Sequence, residues 1–571
     1  MGCGMDNQGN YSVVWPSGQR EVKEAAAAKR LEGLEGKVIA ELWSWTFKGD
    51  IMFEAFEAEL PKRYPGVKFI SWREFGEIHG ANEREVLAAL PEKLKALGVD
   101  GAITGVGGGA SGAAADVRTS ILVEKLGIPT VTIVTETFLT QGQATARGLG
   151  MPNLPFAVHP GHTLLTPDEQ VYRNAAGPML EEVIRGLTEQ PAESEAEREP
   201  EQREVVFTGT FEEVNRYFYR QQWSDGLPVV PPTEEKVEEF LRFTDREAGE
   251  VLGIVHPDHR KATIWNVAVN GVMSGCRPEY MPVLVAIVEA MLEPEFQHEH
   301  LGHSPGMEEL IIVNGRIIQE LGFNCTQGVL RPGFQANTSI GRFWRMYLRN
   351  VARFLPHEAD KSCFGDSFRM VLAENEAYGA SVGWEPLSSD WGYQAGENVV
   401  TVTSCTEKTQ AIQVGADTAE GVLENIEKRM ADNNLFIEFF FRGMRTRPIV
   451  ILPPAVVEIL AKAGYSRSDV KRHFYEHARV RLDRLGTAAL TRFYQGIEQG
   501  NWPEQIGRTK ELDREVQMVS SPDDFQVVIS GDPGRDHVLI CAQNGFMGYP
   551  VCKKIQLPHN WDALLAQVND D

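Results

Sequence analysis

The residues able to do chemistry fall into four groups. The first is Gly105-Val-Gly-Gly-Gly-Ala-Ser-Gly112, where an apolar run breaks into glycines around Ser111. Gly107, Gly108, Gly109 and Gly112 leave backbone N–H groups accessible, and a helix starting there favours an anion. Ser111 reads either as a ligand-binding or catalytic hydroxyl or as a helix cap. The spacing is not a strict G-x-G-x-x-G, and no Lys-Ser/Thr follows, so this is not a nucleotide P-loop. The competing reading is a tight strand–helix crossing.

The second group is a thiol. Cys276 stands in Gly275-Cys-Arg-Pro278, with Arg277 placed to lower its pKa and make it a nucleophile. The bland reading is a buried structural cysteine. The third group is imidazoles and their carboxylate neighbours. His298, His300 and His303 are of the right type for zinc or iron, although their spacing matches no standard site. His159, in His159-Pro-Gly-His162, and Glu136 follow strands and are expected to approach the glycine run from the same sheet edge as acid–base groups. The fourth group is polar. Asn270, Asn337, Thr338 and Arg342 lie at loop–helix junctions and suit a carboxylate or phosphate.

These residues need a scaffold, and its periodicity is readable. Apolar runs at 37–43, 67–70, 99–105 and 129–134 alternate with helical patterns from 49, from 83, after the glycines to Lys125, and from 141. Alternation of this kind predicts an α/β fold: a doubly wound parallel sheet covered on both faces. The expected organisation is a loose lead-in with one helix over 1–36, the α/β domain over 37–188, and an exposed acidic linker over 189–204. A larger α/β or α+β region follows over 205–571, with a subdomain break near 410.

Composition narrows the class. The chain of 571 residues is 42% hydrophobic and carries a net charge of -24, which argues against general nucleic-acid binding. Seven dispersed cysteines without a C-x-x-C pair suggest reduced thiols, and no apolar stretch is long enough for a membrane helix. A cytoplasmic protein is therefore expected.

Gly105–Gly112, Val123-Glu-Lys-Leu-Gly-Ile-Pro-Thr-Val-Thr-Ile-Val-Thr-Glu-Thr-Phe138 and Ala144–Leu154 resemble the UGSC-motif family of selenoprotein-type oxidoreductases. That family is distantly similar to the substrate-specific subunits of glycine reductase. The resemblance implies a scaffold and pocket over roughly 37–165, with redox chemistry by a selenocysteine or cysteine in this loop. Here the motif positions are Gly109, Ala110, Ser111 and Gly112, so both chalcogens are replaced by glycine. Trp223–Thr233, Asn270–Pro282, Asn314-Gly315 and Ala336–Arg342 resemble a bacterial protein that accompanies UGSC-type proteins, which implies a fusion of the two. The expected function is an enzyme acting on a small anionic organic molecule, by oxidoreductase or lyase-like chemistry. Its pocket would lie between the glycine run and loops of the second region. The alternatives are a non-catalytic ligand-binding protein and a metalloenzyme using His298, His300 and His303. No cofactor is readable, and homo-oligomer formation is left open.

Overall fold

The computed structural model describes residues 6, 9–21, 25–80, 82–192, 198–302, 306, 308–365, 370–431, 446–484, 486, 513–543 and 547–570. The chain opens with β1 (Tyr11–Val14). It continues through β2 (Val38–Trp43), α1 (Gly49–Arg63), β3 (Lys68–Ile70), α2 (Glu83–Ala96), β4 (Gly101–Gly107) and α3 (Ala110–Lys125). β5 (Thr130–Thr135), α4 (Leu139–Gly148) and β6 (Phe156–His159) complete the unit.

Strands β2 to β6 form one parallel sheet in the order β3-β2-β4-β5-β6. β4 and β5 are buried along their whole length, as a sheet covered on both faces requires. Alternate residues serve opposite cores. Ile39 and Ile103 pack with Phe53, Phe56 and Leu180 on one face, while Ala40 and Ala102 pack with Leu90, Leu94 and Val123 on the other. The sheet is the doubly wound one expected. Its strand order reverses between β2 and β4, and ligands of such sheets bind beyond the carboxyl ends at that point.

Among its described residues the lead-in is neither loose nor helical. β1 pairs antiparallel with β7 (Val205–Gly209), and Val13, Val14 and Trp15 enter the main core of the second region. No helix occurs among the described residues of 9–36. Side-chain bonds hold this stretch along α3 instead: Glu124 accepts from the Ala28 amide at 2.7 Å and pairs with buried Arg30 at 2.9 Å. The far end of the acidic stretch is docked rather than free. Glu199 meets Arg260 at 2.7 Å, and Glu201 accepts from Gln19 at 2.8 Å.

The second region is built on a mixed eight-stranded sheet. Its path runs Met370–Ala373, Glu308–Asn314, Val399–Lys408, His537–Gln543, Ile449–Leu452 and Gln526–Ile529. His537–Gln543 pairs with strands on both sides of residue 410, so the sheet is continuous there while the cores on it divide. The helices Ile264–Met273 and Met281–Leu292 lie in the first of these cores.

Candidate functional site: a serine–histidine–glutamate chain at the sheet's switch point

β4 ends in the glycine run and α3 begins three residues later, with Gly109 as its N-cap. The amide of Ala113 is the first to bond back, to the Gly109 carbonyl at 2.8 Å. Helix geometry leaves the amides of residues 110 to 112 without intrahelical partners, at the positive end of the dipole. The glycines before them are not an open floor. A Cβ at Gly107 would sit 2.9 Å from Ala113 Cα, and at Gly108 and Gly109 it would fall 2.5 and 2.8 Å from the Phe47 ring. These three glycines let strand, helix and ring close up, which is the crossing rather than the ligand reading. Gly112 differs: its nearest neighbour is the His79 ring, at 3.9 Å.

His79 reaches this point from the loop between β3 and α2, which is tied to the end of β2 by the Ile78 amide bonding the Trp43 carbonyl at 3.2 Å. Its Nε2 lies 3.2 Å from Ser111 Oγ, and its Nδ1 lies 2.7 Å from Glu83 Oε2 in the first turn of α2. Glu83 Oε1 accepts from Arg118 at 3.3 Å. Burial pushes the Glu83 carboxyl up. The His79 hydrogen bond and the charges of His79, His300 and Arg118 more than offset it, holding the group well below the usual carboxylate range. An ionised Glu83 can only accept, so in the neutral ring His79 Nδ1 carries the proton and Nε2 is left to accept from the Ser111 hydroxyl. This is the geometry of a nucleophile, a base and an orienting carboxylate. Ser111 is 5% exposed. One turn beyond Gly112, the wholly buried Asp116 is pushed well above the ordinary range, first by burial.

The cover over this chain comes from the second region. His300 stacks on His79 with ring centroids 5.1 Å apart and 24° between planes, and Arg118 donates to the Glu299 carbonyl at 2.9 Å. His300 Nε2 lies 3.9 Å from Glu83 Oε2, while its Nδ1 is buried without a partner. His298 is turned away: its Nε2 meets the Ile254 carbonyl at 3.2 Å and its ring packs on His256. The expected histidine triplet is therefore divided. His300 joins His79 and Glu83, His298 does not, and His303 lies outside the described residues.

The other sequence candidates serve the framework. Arg277 pairs with Glu279 rather than Cys276, and burial pushes the Cys276 thiol up to about 12, against the activated thiolate expected. Asn270 is wholly buried inside a helix, where it donates to the Pro16 and Asn266 carbonyls and accepts from Asn350. Asn337 braces Asn324 and the Val371 carbonyl, and Thr338 accepts from the Gly333 amide. Arg342 clamps Asp225 with two bonds of 3.0 and 2.9 Å. His159, at the end of β6, has both nitrogens engaged, by the Gly161 carbonyl and the Asn174 amide, and burial lowers its pKa. Glu136 accepts from the Gly161 amide at 3.4 Å. Of the predicted catalytic residues only Ser111 joins the chain. His79 and Glu83 were missed, since His-x-x-x-Glu becomes a signal only once the sheet order puts it beside Ser111.

A doubly wound α/β unit with a serine–histidine–glutamate chain at its switch point is thus the class that fold and site define. Residues 12–189 match the UGSC family. No curated protein and no solved structure matches the chain. No helix of the described residues is long and apolar enough to cross a membrane.

Proposed function

We propose that this protein is an enzyme that cleaves a carbonyl-centred bond of a small anionic organic molecule, with Ser111 as nucleophile. The observation that carries the reading is the unbroken run of hydrogen bonds from Ser111 through His79 to Glu83. Ser111 Oγ adds to the carbonyl carbon while its proton passes to His79 Nε2. The oxyanion forms beside the amides at the start of α3. His79 returns the proton to the leaving group, and a water deprotonated by His79 then releases the acyl group and regenerates Ser111. Glu83 is a positioning residue that holds the His79 tautomer. The resemblance to glycine reductase subunits supports a small anionic substrate. Glycine at both chalcogen positions and the raised Cys276 thiol favour bond cleavage over redox chemistry, and the fused second region supplies the cover.

Diisopropyl fluorophosphate tests this without knowledge of the substrate. One adduct per chain is expected, mapped to Ser111 by peptide mass and absent from Ser111→Ala. His79→Ala is expected to slow labelling by about 10²–10⁴. Glu83→Gln should move the pH profile of labelling, whereas a merely structural role would change only stability. Folded protein that takes no adduct, or takes it equally in Ser111→Ala, overturns the assignment in favour of a non-catalytic binding protein.

A further inference from the structure

We propose that His79, Glu83 and His300 form a binding site for a divalent transition-metal ion, and that this ion switches Ser111 off. One ligand atom from each residue lies within 4.8 Å of the others. Two imidazoles and a carboxylate suit zinc and its neighbours. The His300 ring makes no hydrogen bond among the described residues: Nδ1 is buried without a partner, and Nε2 faces Glu83 at 3.9 Å, too far for one. A buried ring left in this way, beside an ionised carboxylate and a second imidazole, has a nitrogen lone pair to offer a cation. A tetrahedral zinc site with bonds of ~2.0 Å has ligand edges of about 3.3 Å. Binding therefore draws the His300 ring in, from 3.9 Å off Glu83 and up to 4.8 Å between the most distant ligand atoms, and opens the 2.7 Å His79–Glu83 contact. Arg118 holds the other Glu83 oxygen, which leaves Oε2 for the ion.

The switch lies in the His79 tautomer, and this half rests on the reading of Ser111 as nucleophile. Without the ion, Nδ1 donates to Glu83 and Nε2 accepts from Ser111. An ion on Nδ1 needs the lone pair there, so the proton moves to Nε2 and the ring stays neutral. Nε2 then donates to Ser111 Oγ and cannot take its proton. The same ion joins α2 to the Gln297–Leu301 segment, so the cover is fixed shut while the base is disabled.

Equilibrium dialysis of the full chain against zinc chloride should give one ion per chain. His300→Phe keeps an aromatic ring over His79 and removes both nitrogens, and its affinity should fall at least about tenfold. Cobalt(II) should give the visible absorption of a low-coordinate ion in the wild type and not in this variant. Zinc should slow fluorophosphate labelling of Ser111 and chelator should restore it, whereas the labelling rate of His300→Phe, whatever its own value, should not change when zinc is added. No stoichiometric binding, or binding unchanged in His300→Phe, overturns the site and leaves the Ser111 reading standing. Binding as described with Ser111 never labelled overturns the switch and the nucleophile, and leaves the metal site standing.

Discussion

Single residues decide which groups can react, and burial is the dominant influence on most of them. Cys276 shows this well. Its neighbour in sequence, Arg277, turns to Glu279, because successive side chains leave the backbone in different directions. A thiol pushed up to about 12 carries almost no thiolate at neutral pH. Titration with a disulfide reagent at pH 8 should therefore find exposed Cys363 reactive and Cys276 silent until the chain is denatured. Glu41, on β2, makes a second case. It is 1% exposed, and burial, then Glu57, push its carboxyl up to about 8 against the Trp72 amide and Arg73. The folded chain holds this proton after the unfolded chain, with its ordinary value of 4.5, has lost it. Stability from this group is present below pH 4.5 and is lost as pH rises through about 8. Glu41→Gln should flatten that slope and raise the melting temperature at pH 9 more than at pH 5. A slope that persists in thermal melts of the variant would show that the group does not act in this way.

At the scale of elements, the glycine run divides into packing and site. Gly109→Ala puts a Cβ 2.8 Å from the Phe47 ring, and overpacking of this kind costs about 1–3 kcal/mol. Phe47→Ala added to it should recover much of the loss, because the two positions share one clash, and a double-mutant cycle in denaturant measures the coupling. Gly112→Ala meets only the His79 ring at an ordinary 3.9 Å, so its stability should hold while Ser111 labelling slows. This division marks what the sequence carries. Apolar runs alternating with helical patterns, and glycines before a helix, made the parallel sheet, α3 and Ser111 legible. They could not separate glycines that admit a ring from one that faces a histidine, since Phe47 arrives from another loop. His79 and Glu83 lie on a loop and a helix start with no motif of their own, and His300 arrives from the second region. Their convergence depends on the strand order, which local periodicity does not encode. Asn270, Asn337 and Arg342 looked like ligand groups because bracing a loop and binding an anion use the same side chains.

At the scale of the whole molecule, the two regions are joined at more than the β1–β7 ladder, and the joint contains imidazoles. A Cβ at Gly148, the last residue of α4, would lie 2.5 Å from the Pro257 carbonyl, so the loop at 256–260 presses on the end of that helix. His256 and His259 flank the contact with rings 4.2 Å apart, and His256 also packs on His298. Burial lowers both, His259 to about 4, and the facing cation of Arg118 lowers them further. His298 adds to this at both rings, Lys125 and His300 each at one, while Asp258 opposes at His259. The unfolded chain takes up these protons near the ordinary 6.5, before the folded chain does. The stability they contribute is complete above pH 6.5 and is lost as pH falls towards 4, at about 1.4 kcal/mol for each unit of separation. Acidification should thus loosen the joint before the sheets. Hydrogen exchange at pH 5 should rise first around 256–260 and at the end of α4, ahead of β4 and β5. His259→Gln removes one of the titrating rings and should flatten the stability slope between pH 6.5 and 4. Exchange that rises evenly over both regions, or a slope unchanged in His259→Gln, would place the acid-sensitive element elsewhere.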